Sequence, residues 1–404
     1  MLRHGEPQPT GNEVLTPTTL LELQTIVSSR RVVRARAAGH SGTPWSTQSY
    51  IDVKNFNHPL AVTEDTVTCE SAMSIAELLS FLSTHGRTIQ GLPSILLATI
   101  GGVTLTGGHG SGLSILATQV LNAIFVLADG RLLTIPASDP SFPSIITSAG
   151  MIGIMYSITL RTIPAVTLYQ QRVYTKLPLD PIGWVRGGLC RQFFYNPYTQ
   201  KALLYDNSIE QEFGDDHEPL VGKWLKNERG EKLAVQVYEN FPWLVPRFID
   251  FTYQALTGRS SGPAAEILSI PDYNLPYLDY EVSVPVEQGA KTLHLLHTLI
   301  MRWRDENKYY VWFGVMVRYL PRDVYPLSMA YNSDVIAFAF PLFDNKQSRE
   351  FVEEVQALCG TRFHVGKYFP GRVTSHNGWS AFEPIRASLD PSGKFMPQYE
   401  TAKS

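Results

Sequence analysis

The chain has 404 residues and a mass of 45.2 kDa, with 44% hydrophobic and 18% charged residues. This composition indicates a folded protein, and the length favours two domains, because single hydrophobic cores stop growing at about 250–300 residues. The formal net charge of −3 and the lack of Lys/Arg runs disfavour nucleic acid and anionic membranes as partners.

The cysteines and the apolar stretches bear on the compartment. Three widely spaced cysteines do not suit a disulfide framework or a zinc site, which favours a reducing environment. The first residues hold no apolar stretch, so no secretory signal is expected there. The longest apolar run, near residues 92–105, is broken by glycines and does not predict a membrane span. We therefore expect a cytoplasmic protein with no membrane partner.

Short strands and helices alternate in the first part of the chain. Hydrophobic periodicity predicts helices over residues 18–29 and 74–85, and alternation predicts strands over residues 31–38, 50–53 and 66–70. Thr16 suits the N-cap of the first helix, with Pro17 at its first position. Asp129-Gly130 lies between two strand-like runs and predicts a two-residue hairpin turn. A glycine turn at Gly150 leads into an apolar strand that ends near residue 161.

From about residue 166 the chain becomes rich in aromatic residues and in longer strand-like runs. These runs cover residues 202–205, 279–284, 311–319 and 335–340. Residues 288–305 carry Leu293, Leu296 and Ile300 along one stripe and predict a helix.

Two glycine-rich segments are candidates for ligand binding. In residues 36–43, small residues surround His40 and allow backbone N–H groups to approach a phosphate, although an ordinary turn would look the same. Residues 99–112 contain six glycines and four hydroxyl residues, a pattern typical of backbone shaped around a flat ligand. Neither segment has a Walker lysine or a strand–GxGxxG–helix arrangement, which disfavours a P-loop or a Rossmann site.

Further motifs follow in order along the chain. They are Tyr50-Ile51-Asp52-Val53, Gly150-Met151-Ile152-Gly153-Ile154, His364-Val365-Gly366-Lys367 and Leu389-Asp390-Pro391-Ser392-Gly393-Lys394-Phe395. With Gly39-His40-Ser41 and residues 99–112, this ordered set resembles the FAD-binding (PCMH-type) proteins of the vanillyl-alcohol-oxidase superfamily. Within that superfamily, it is similar to the sugar-1,4-lactone oxidases and the alditol oxidases.

The resemblance implies a fold and an activity. The fold is α+β, with a two-part FAD-binding domain and a cap domain that contains a large antiparallel sheet. The FAD-binding domain would span residues 1–165, the cap domain residues 166–355, and residues 356–404 would return to the flavin. The activity would be oxidation of a CH–OH group of a small hydroxylated substrate by hydride transfer to flavin N5. O2 is the expected acceptor, and no metal is needed.

The resemblance also implies roles for individual residues. His40 would bond covalently to the 8α-methyl carbon of FAD, and Lys367 would approach the flavin N1/C2 edge, where a cation favours the reduced form. The other residues expected to contact FAD are Ala37, Ala38, Gly39, Ser41, Gly101, Gly102, Thr106, Gly107, Gly108, His109, Ser111, Gly150, Gly153, Ile154 and His364.

The substrate side is expected around Arg318, Glu281 and Lys367. Strand alternation puts Met316 and Arg318 on one face, where Arg318 could hold a substrate oxygen or pair with a carboxylate. Met316 stands where the resembling enzymes have a glutamate, and a thioether holds a polyol hydroxyl poorly. Glu281 is the remaining carboxylate, for substrate contact or for a cross-strand structural role.

Three alternatives stay open from the sequence. One is a flavin dehydrogenase that uses another acceptor, and Gly108 argues against it because the related dehydrogenases carry alanine there. The second is a flavin-binding protein without redox turnover, which Met316 favours. The third, a berberine-bridge-type oxidase with two covalent flavin links, is disfavoured because no cysteine lies between Cys69 and Cys190.

Overall fold

Two antiparallel sheets, one of five strands and one of seven, organise the described part of the chain. The structure is a computed structural model, and it describes residues 13–42, 49–210, 212, 228–269 and 277–397. Thr43, at the end of the first glycine-rich segment, lies outside these ranges. None of the described helices has the length and apolar character that a membrane crossing requires.

The first part of the chain builds a small parallel sheet and the five-stranded sheet. The small sheet has the order β1-β3-β2, with β1 (Glu13–Leu15), β2 (Arg34–Arg36) and β3 (Ser49–Asp52), and α1 (Leu20–Ser29) connects its first two strands. The five-stranded sheet has the order β4-β5-β9-β7-β8, from β4 (Pro59–Val62), β5 (Thr66–Glu70), β7 (Val120–Val126), β8 (Leu132–Pro136) and β9 (Ile154–Arg161). The remaining elements are α2 (Ile75–Ser83), α3 (Ile100–Leu105), α4 (Phe142–Ile146) and the pair β6 (Arg87–Thr88) and β10 (Ile163–Pro164).

Two local predictions for this part were wrong in detail. The first helix begins at Leu20, because Thr19 is its N-cap and its Oγ1 accepts the Glu22 N–H at 3.2 Å. Pro17 stays outside the helix, since its carbonyl accepts a hydrogen bond from Asn55 at 2.9 Å. The hairpin loop has three residues, because the Leu127 N–H reaches the Arg131 carbonyl at 2.9 Å and Gly130 takes a φ of 84°. A type I turn followed by a left-handed glycine is the usual form of such a loop.

The second part of the chain builds the seven-stranded sheet, in the order β14-β11-β13-β12-β16-β17-β15. Its strands are β11 (Thr167–Lys176), β12 (Leu189–Asn196), β13 (Lys201–Ser208), β14 (Gly258–Pro263), β15 (Tyr277–Pro285), β16 (Val315–Leu320) and β17 (Val335–Phe343). The helices are α5 (Pro181–Arg186), α6 (Glu228–Asn240), α7 (Val245–Ala255), α8 (Ala264–Leu268), α9 (Gly289–Asp305), α10 (Lys346–Cys359) and α11 (Trp379–Leu389).

The seven-stranded sheet has one face on a hydrophobic core and one face on a cavity. Leu296 of α9 and Phe351 of α10 pack against Val317 and Phe338 on the core face. Because side chains alternate along a strand, Met316 and Arg318 lie on the opposite face. The predicted α+β fold with a large antiparallel sheet is confirmed.

The last segment of the chain returns to the first part. Phe363 and Phe382 belong to the same core cluster as residues of the five-stranded sheet. The Arg34 guanidinium donates to the Phe395 carbonyl at 2.6 Å, and the Val33 N–H donates to the Lys394 carbonyl at 3.1 Å. His364, Gly366 and Lys367 of the same segment line the cavity. The domain boundaries at residues 165 and 355 stay predictions.

Candidate active site

A cavity of about 810 Å³ lies between the glycine-rich segments and the seven-stranded sheet. One wall, the small-residue wall, consists of backbone and mostly small side chains from three segments, at residues 37–41, 99–109 and 149–154, and the second segment contains α3. The opposite wall consists of longer side chains from β12, β15, β16 and α7. Small-molecule pockets measure about 300–1,000 Å³, so the volume lies in the upper part of that range.

Most of the predicted cofactor residues line this cavity. They are Ala37, Ala38, Gly39, His40, Ser41, Gly101, Gly102, Thr106, Gly108, His109, Gly150, Gly153, Ile154, His364 and Lys367. Gly107 and Ser111 do not line it. Ser111 Oγ donates to the Arg191 carbonyl, and Gly107 turns with a φ of 67° beside Ser328. Ser111 therefore attaches the glycine-rich segment to β12.

At two positions around the cavity, neighbouring atoms come so close to the backbone that only glycine fits. A Cβ on Gly101 would stand 2.9 Å from the Ser71 carbonyl oxygen, and a Cβ on Gly366 would stand 2.8 Å from Thr106 Oγ1. Both distances are shorter than ordinary van der Waals contact. The Gly42 N–H also donates to the Gly366 carbonyl at 3.2 Å, which fastens the His40 loop to the C-terminal segment.

A cluster of charged side chains stands at the centre of the cavity wall. Arg318 Nη2 lies 2.5 Å from Glu281 Oε1, and Lys367 Nζ lies 2.9 Å from Glu281 Oε2. Lys367 Nζ also lies 2.8 Å from Asp279 Oδ2. Glu281 is fully buried and Arg318 is nearly so, while the Lys367 side chain is 19% exposed. Lys367 is therefore not a solvated surface lysine, and both oxygens of Glu281 face cations.

The cations determine the charge state of Glu281. Burial alone would raise the pKa of this carboxyl, but the charges of Arg318 and Lys367 outweigh it and hold the pKa well below its usual range. Glu281 is therefore ionised at neutral pH and is a weak base. This arrangement favours a role in positioning Arg318 and Lys367.

Two buried imidazoles complete the cluster, with ring centroids 5.4 Å apart. His109 Nδ1 lies 2.9 Å from the Gly110 carbonyl oxygen, and its Nε2 lies 3.4 Å from Glu281 Oε2. Burial lowers the pKa of His109, so its neutral form dominates at neutral pH. A neutral ring can donate to only one of these two acceptors, whereas an imidazolium can donate to both. His109 can therefore take up a proton without losing a hydrogen bond.

The second imidazole has a defined tautomer. The Gly366 N–H donates to His364 Nδ1 at 3.0 Å, so a neutral His364 carries its proton on Nε2. Burial, followed by the neighbouring His109, holds the pKa of His364 well below its usual value. At neutral pH, His364 can therefore present only a hydrogen-bond donor to the cavity.

The same residues have the chemistry of a metal site but the electrostatics of an ion-pair cluster. His109, Glu281 and His364 offer ligand atoms within 4.8 Å of one another. Two histidines and one carboxylate can hold a divalent metal. Arg318 and Lys367 already contact the carboxylate, however, and both would repel a dication there. The charges therefore favour ion pairs.

Several residues of the wall opposite the small-residue wall were missed by sequence reasoning. Cross-strand pairing places Phe194 beside Met316, and Gln192 beside Arg318. Helix α7 adds Ile249 and Tyr253, and the loop before β16 adds Trp312 and Phe313. Period-two alternation in β12 could have identified Gln192 and Phe194 as sharing a face. The helix and loop contributions have no comparable local signal.

The small-residue wall fits FAD, the group that the sequence resemblance implies. Backbone from three segments lies along one continuous cavity, and Arg36 lines the same wall beside Ala37 and Ala38. Backbone N–H groups and an arginine are a donor set suited to a pyrophosphate. The Lys367 ammonium reaches the other end, beside Glu281. The residues present are thus those that a long, negatively charged dinucleotide needs.

Comparison with known proteins identifies the family. Residues 158–402 match the family model described as D-arabinono-1,4-lactone oxidase, and residues 12–136 match the FAD binding domain model. L-gulono-1,4-lactone dehydrogenase of Mycobacterium tuberculosis is 24% identical over 98% of this chain and 96% of its own length. Alditol oxidase of Streptomyces sp. is 26% identical over 96% of this chain and 94% of its own length.

Solved structures share the fold at lower sequence identity. The cholesterol oxidase of Brevibacterium sterolicum superposes with a TM-score of 0.74 at 15% identity, covering 95% of this chain and 92% of that protein. At that identity the likeness shows the fold alone. The first family model, in contrast, spans more than half of the chain. The resemblance seen in the sequence is therefore confirmed, and this chain belongs to the D-arabinono-1,4-lactone oxidase family as an FAD-dependent oxidoreductase that acts on CH–OH groups.

Proposed function

We propose that this protein oxidises the CH–OH group of a small molecule bound between the Arg318–Glu281–Lys367 cluster and the small-residue wall. The observation that carries this proposal is the shared cavity. The charged cluster and the glycine-rich turns line one space, so an alcohol beside Arg318 would lie next to the cofactor. The names of the relatives, which act on sugar lactones and alditols, agree with an alcohol as substrate.

The reaction has a simple balance. The carbinol carbon loses a hydride, the hydroxyl loses a proton, and the product is a carbonyl compound. Bound FAD supplies the hydride acceptor. The two electrons then leave the protein to an external acceptor. With O2 as the acceptor, these electrons and two protons give hydrogen peroxide.

The chain's own residues manage the hydroxyl group. Arg318 is held by Glu281 and can donate to the substrate oxygen as negative charge develops there. Glu281 is too weak a base to take the hydroxyl proton, because its pKa is held low. His109 stands 3.4 Å from the same carboxylate and is neutral because burial lowers its pKa, so its ring has a nitrogen that can accept a proton. We assign the charge-stabilising role to Arg318 and the positioning role to Glu281.

His40 and Lys367 are the residues to which we assign roles toward the cofactor. His40 lines the small-residue wall, and we propose that it is covalently bonded to FAD. Lys367 lies beside Glu281 at the other end of the cavity, where we propose that it approaches the flavin edge. The cytoplasmic location and the lack of a nucleic-acid partner stay predictions from the sequence.

The choice of O2 as acceptor rests on Gly108, because the methyl group of an alanine there would crowd the flavin C4a region where O2 must react. A Cβ on Gly108 would overlap Val103 Cγ1 and would stand 3.0 Å from the Val103 carbonyl oxygen. Val103 itself lines the cavity. An alanine at this position would therefore act by displacing Val103, in addition to any crowding by its own methyl group.

The proposal is tested by mixing the purified protein, without oxygen, with secondary alcohols, sugar lactones and alditols. We expect at least one alcohol to bleach the flavin absorbance and to yield hydrogen peroxide once air is admitted. Arg318→Lys should slow bleaching about 10²-fold, the usual cost of removing one donor from a developing oxyanion. Arg322→Lys, on an exposed arginine four residues along the chain, is the matched control and should leave the rate unchanged.

A second function, flavin binding without turnover, is favoured by Met316 and by the cations that face both Glu281 oxygens. Under that alternative, no alcohol would bleach a flavin that dithionite does reduce. That result would overturn the proposed oxidation. Bleaching without peroxide formation would overturn only the choice of O2 and would favour a dehydrogenase.

A further inference from the structure

An apolar row of side chains runs across the cavity face of the seven-stranded sheet and ends at Glu281. Phe194 pairs with Leu203 on one side and with Met316 on the other. Met316 pairs with Ala339, and Ala339 pairs with Glu281. Each of these neighbours lies on the same face, because directly opposed residues point the same way. The side chains that continue the row away from Glu281, Ala339, Met316 and Phe194, present only carbon and sulfur.

Helix α7 and the loop before β16 cover this row. Ile249 and Tyr253 of α7 belong to the same apolar cluster as Phe194 and Met316. The Phe313 ring stands 5.6 Å from the Phe194 ring, edge to face. All five side chains line the cavity. Apolar side chains of α7 and of the loop before β16 thus cover the apolar row.

On this face of β12 and β16, the hydrogen-bonding side chains form the neighbouring row. Gln192 pairs with Arg318 and with Tyr205, two residues along the strands from the apolar row. Two residues of a strand span about 7 Å, so a substrate oxygen at Arg318 can reach Gln192 while its other substituent follows the apolar row. The site therefore has one polar edge and one apolar edge.

These two edges set the preference between alcohols. A hydroxyl buried without a partner against the apolar row costs enough to lower affinity about 5- to 150-fold. Each methylene group buried there raises affinity about fourfold. A polyhydroxylated chain is therefore rejected along the same path that favours a hydrocarbon chain.

The geometry points to an alcohol whose carbinol carbon carries an apolar alkyl or aryl substituent as the substrate of this site. The inference rests on the proposed CH–OH oxidation and specifies the class of molecule that undergoes it. The hydroxyl would stand at Arg318, and the apolar substituent would lie along Phe194, Met316 and Ala339.

The test is anaerobic reduction of the flavin-loaded protein by 2-butanol, 2-hexanol, 2-octanol, xylitol and L-gulono-1,4-lactone. We expect the second-order rate constant to rise about fourfold per methylene and to be at least tenfold higher for 2-octanol than for xylitol. Calorimetric titration with the ketone 2-octanone, which cannot be oxidised, should show binding with a negative heat capacity change.

Variants at Met316 test the contribution of the apolar row separately from that of the rest of the site. Met316→Gln keeps the length of the side chain but adds polar groups, and it should flatten the chain-length dependence. Met316→Leu is the matched control and should preserve it. The wild-type series decides the question even if neither variant folds.

The outcomes separate this inference from the proposed function. Reduction by xylitol or the lactone as fast as by 2-octanol, or a flat alcohol series, would overturn the apolar substrate while alcohol oxidation stands. If none of these compounds reduces a flavin that dithionite reduces, the proposed function is overturned and the inference with it.

Discussion

Replacing Glu281 with glutamine is the most direct probe of the charged cluster. The change keeps the shape of the side chain and removes its charge. Arg318, only 4% exposed, loses its carboxylate partner, whereas Lys367 keeps Asp279 at 2.8 Å. Breaking a buried ion pair costs about 3–5 kcal/mol. Because Lys367 stays paired, we expect the lower end, about 3 kcal/mol.

That free energy corresponds to a measurable melting shift. With an unfolding entropy of about 2.1 cal/mol/K per residue, a chain of 404 residues should lose about 3–4 °C in Tm. Scanning calorimetry at pH 7 measures the shift, and Glu287→Gln, on an exposed carboxylate, is the matched control. The double variant Glu281→Gln/Arg318→Met should be less destabilised than the sum of its singles. A Tm within 1 °C of wild type for Glu281→Gln would refute the buried pair.

The pH dependence of the same shift follows from the lowered pKa of Glu281. A carboxyl whose pKa is lower in the folded state stabilises the protein above its unfolded pKa of about 4.3, and loses that contribution as pH falls toward the folded value. The Tm difference between wild type and Glu281→Gln should therefore stay constant from pH 8 to about pH 5 and shrink in stronger acid. A difference that grows on acidification would contradict the assignment.

Three other predictions concern separate sites. Denatured, acid-precipitated wild type should stay yellow while His40→Ala releases its flavin, and a colourless wild-type pellet would exclude the covalent bond. Gly108→Ala should slow the reoxidation of the flavin by O2 more than its reduction. The comparison is made between Val103→Ala and Val103→Ala/Gly108→Ala, because the Val103→Ala change removes the overlap at Val103 Cγ1. Equal stopped-flow reoxidation rates for these two proteins would contradict the prediction. Burial raises the pKa of Asp323 to about 6, so the folded protein loses up to about 3 kcal/mol as pH rises from about 4 to 6. Asp323→Asn should remove that loss in calorimetric melts, and parallel pH profiles for the two proteins would refute it.

Local patterns predicted the elements whose hydrophobic faces are regular. Helix α9 matches its prediction closely, because Leu293, Leu296 and Ile300 repeat at helical spacing and are buried. Strand β5 covers the predicted residues 66–70. The start of α1 was missed because Thr16 and Thr19 offer the same capping group. Only the folded structure shows Pro17 bonded to Asn55 and Thr19 bonded to Glu22.

The ion pairs of the site could not be predicted from the sequence. The residues themselves were identified by resemblance, but Glu281 and Arg318 lie on β15 and β16, which are separated by β17. Strands two places apart in a sheet lie about 10 Å from each other, too far for most cross-strand contacts. Because the sequence does not show that Glu281 and Arg318 meet, it could not decide between a structural role and a substrate-binding role for Glu281.

Strand β17 explains how the two side chains meet. Ala337 is paired with Arg318, and Ala339 is paired with Glu281. Alanine methyl groups leave space above the strand, so the long side chains of Arg318 and Glu281 can join over it. The intervening Phe338 points to the other face and fills the core under α9 and α10. The alternation of alanine and phenylalanine in one strand therefore serves both faces, since the large residues stabilise the core while the small ones leave room for the charged cluster.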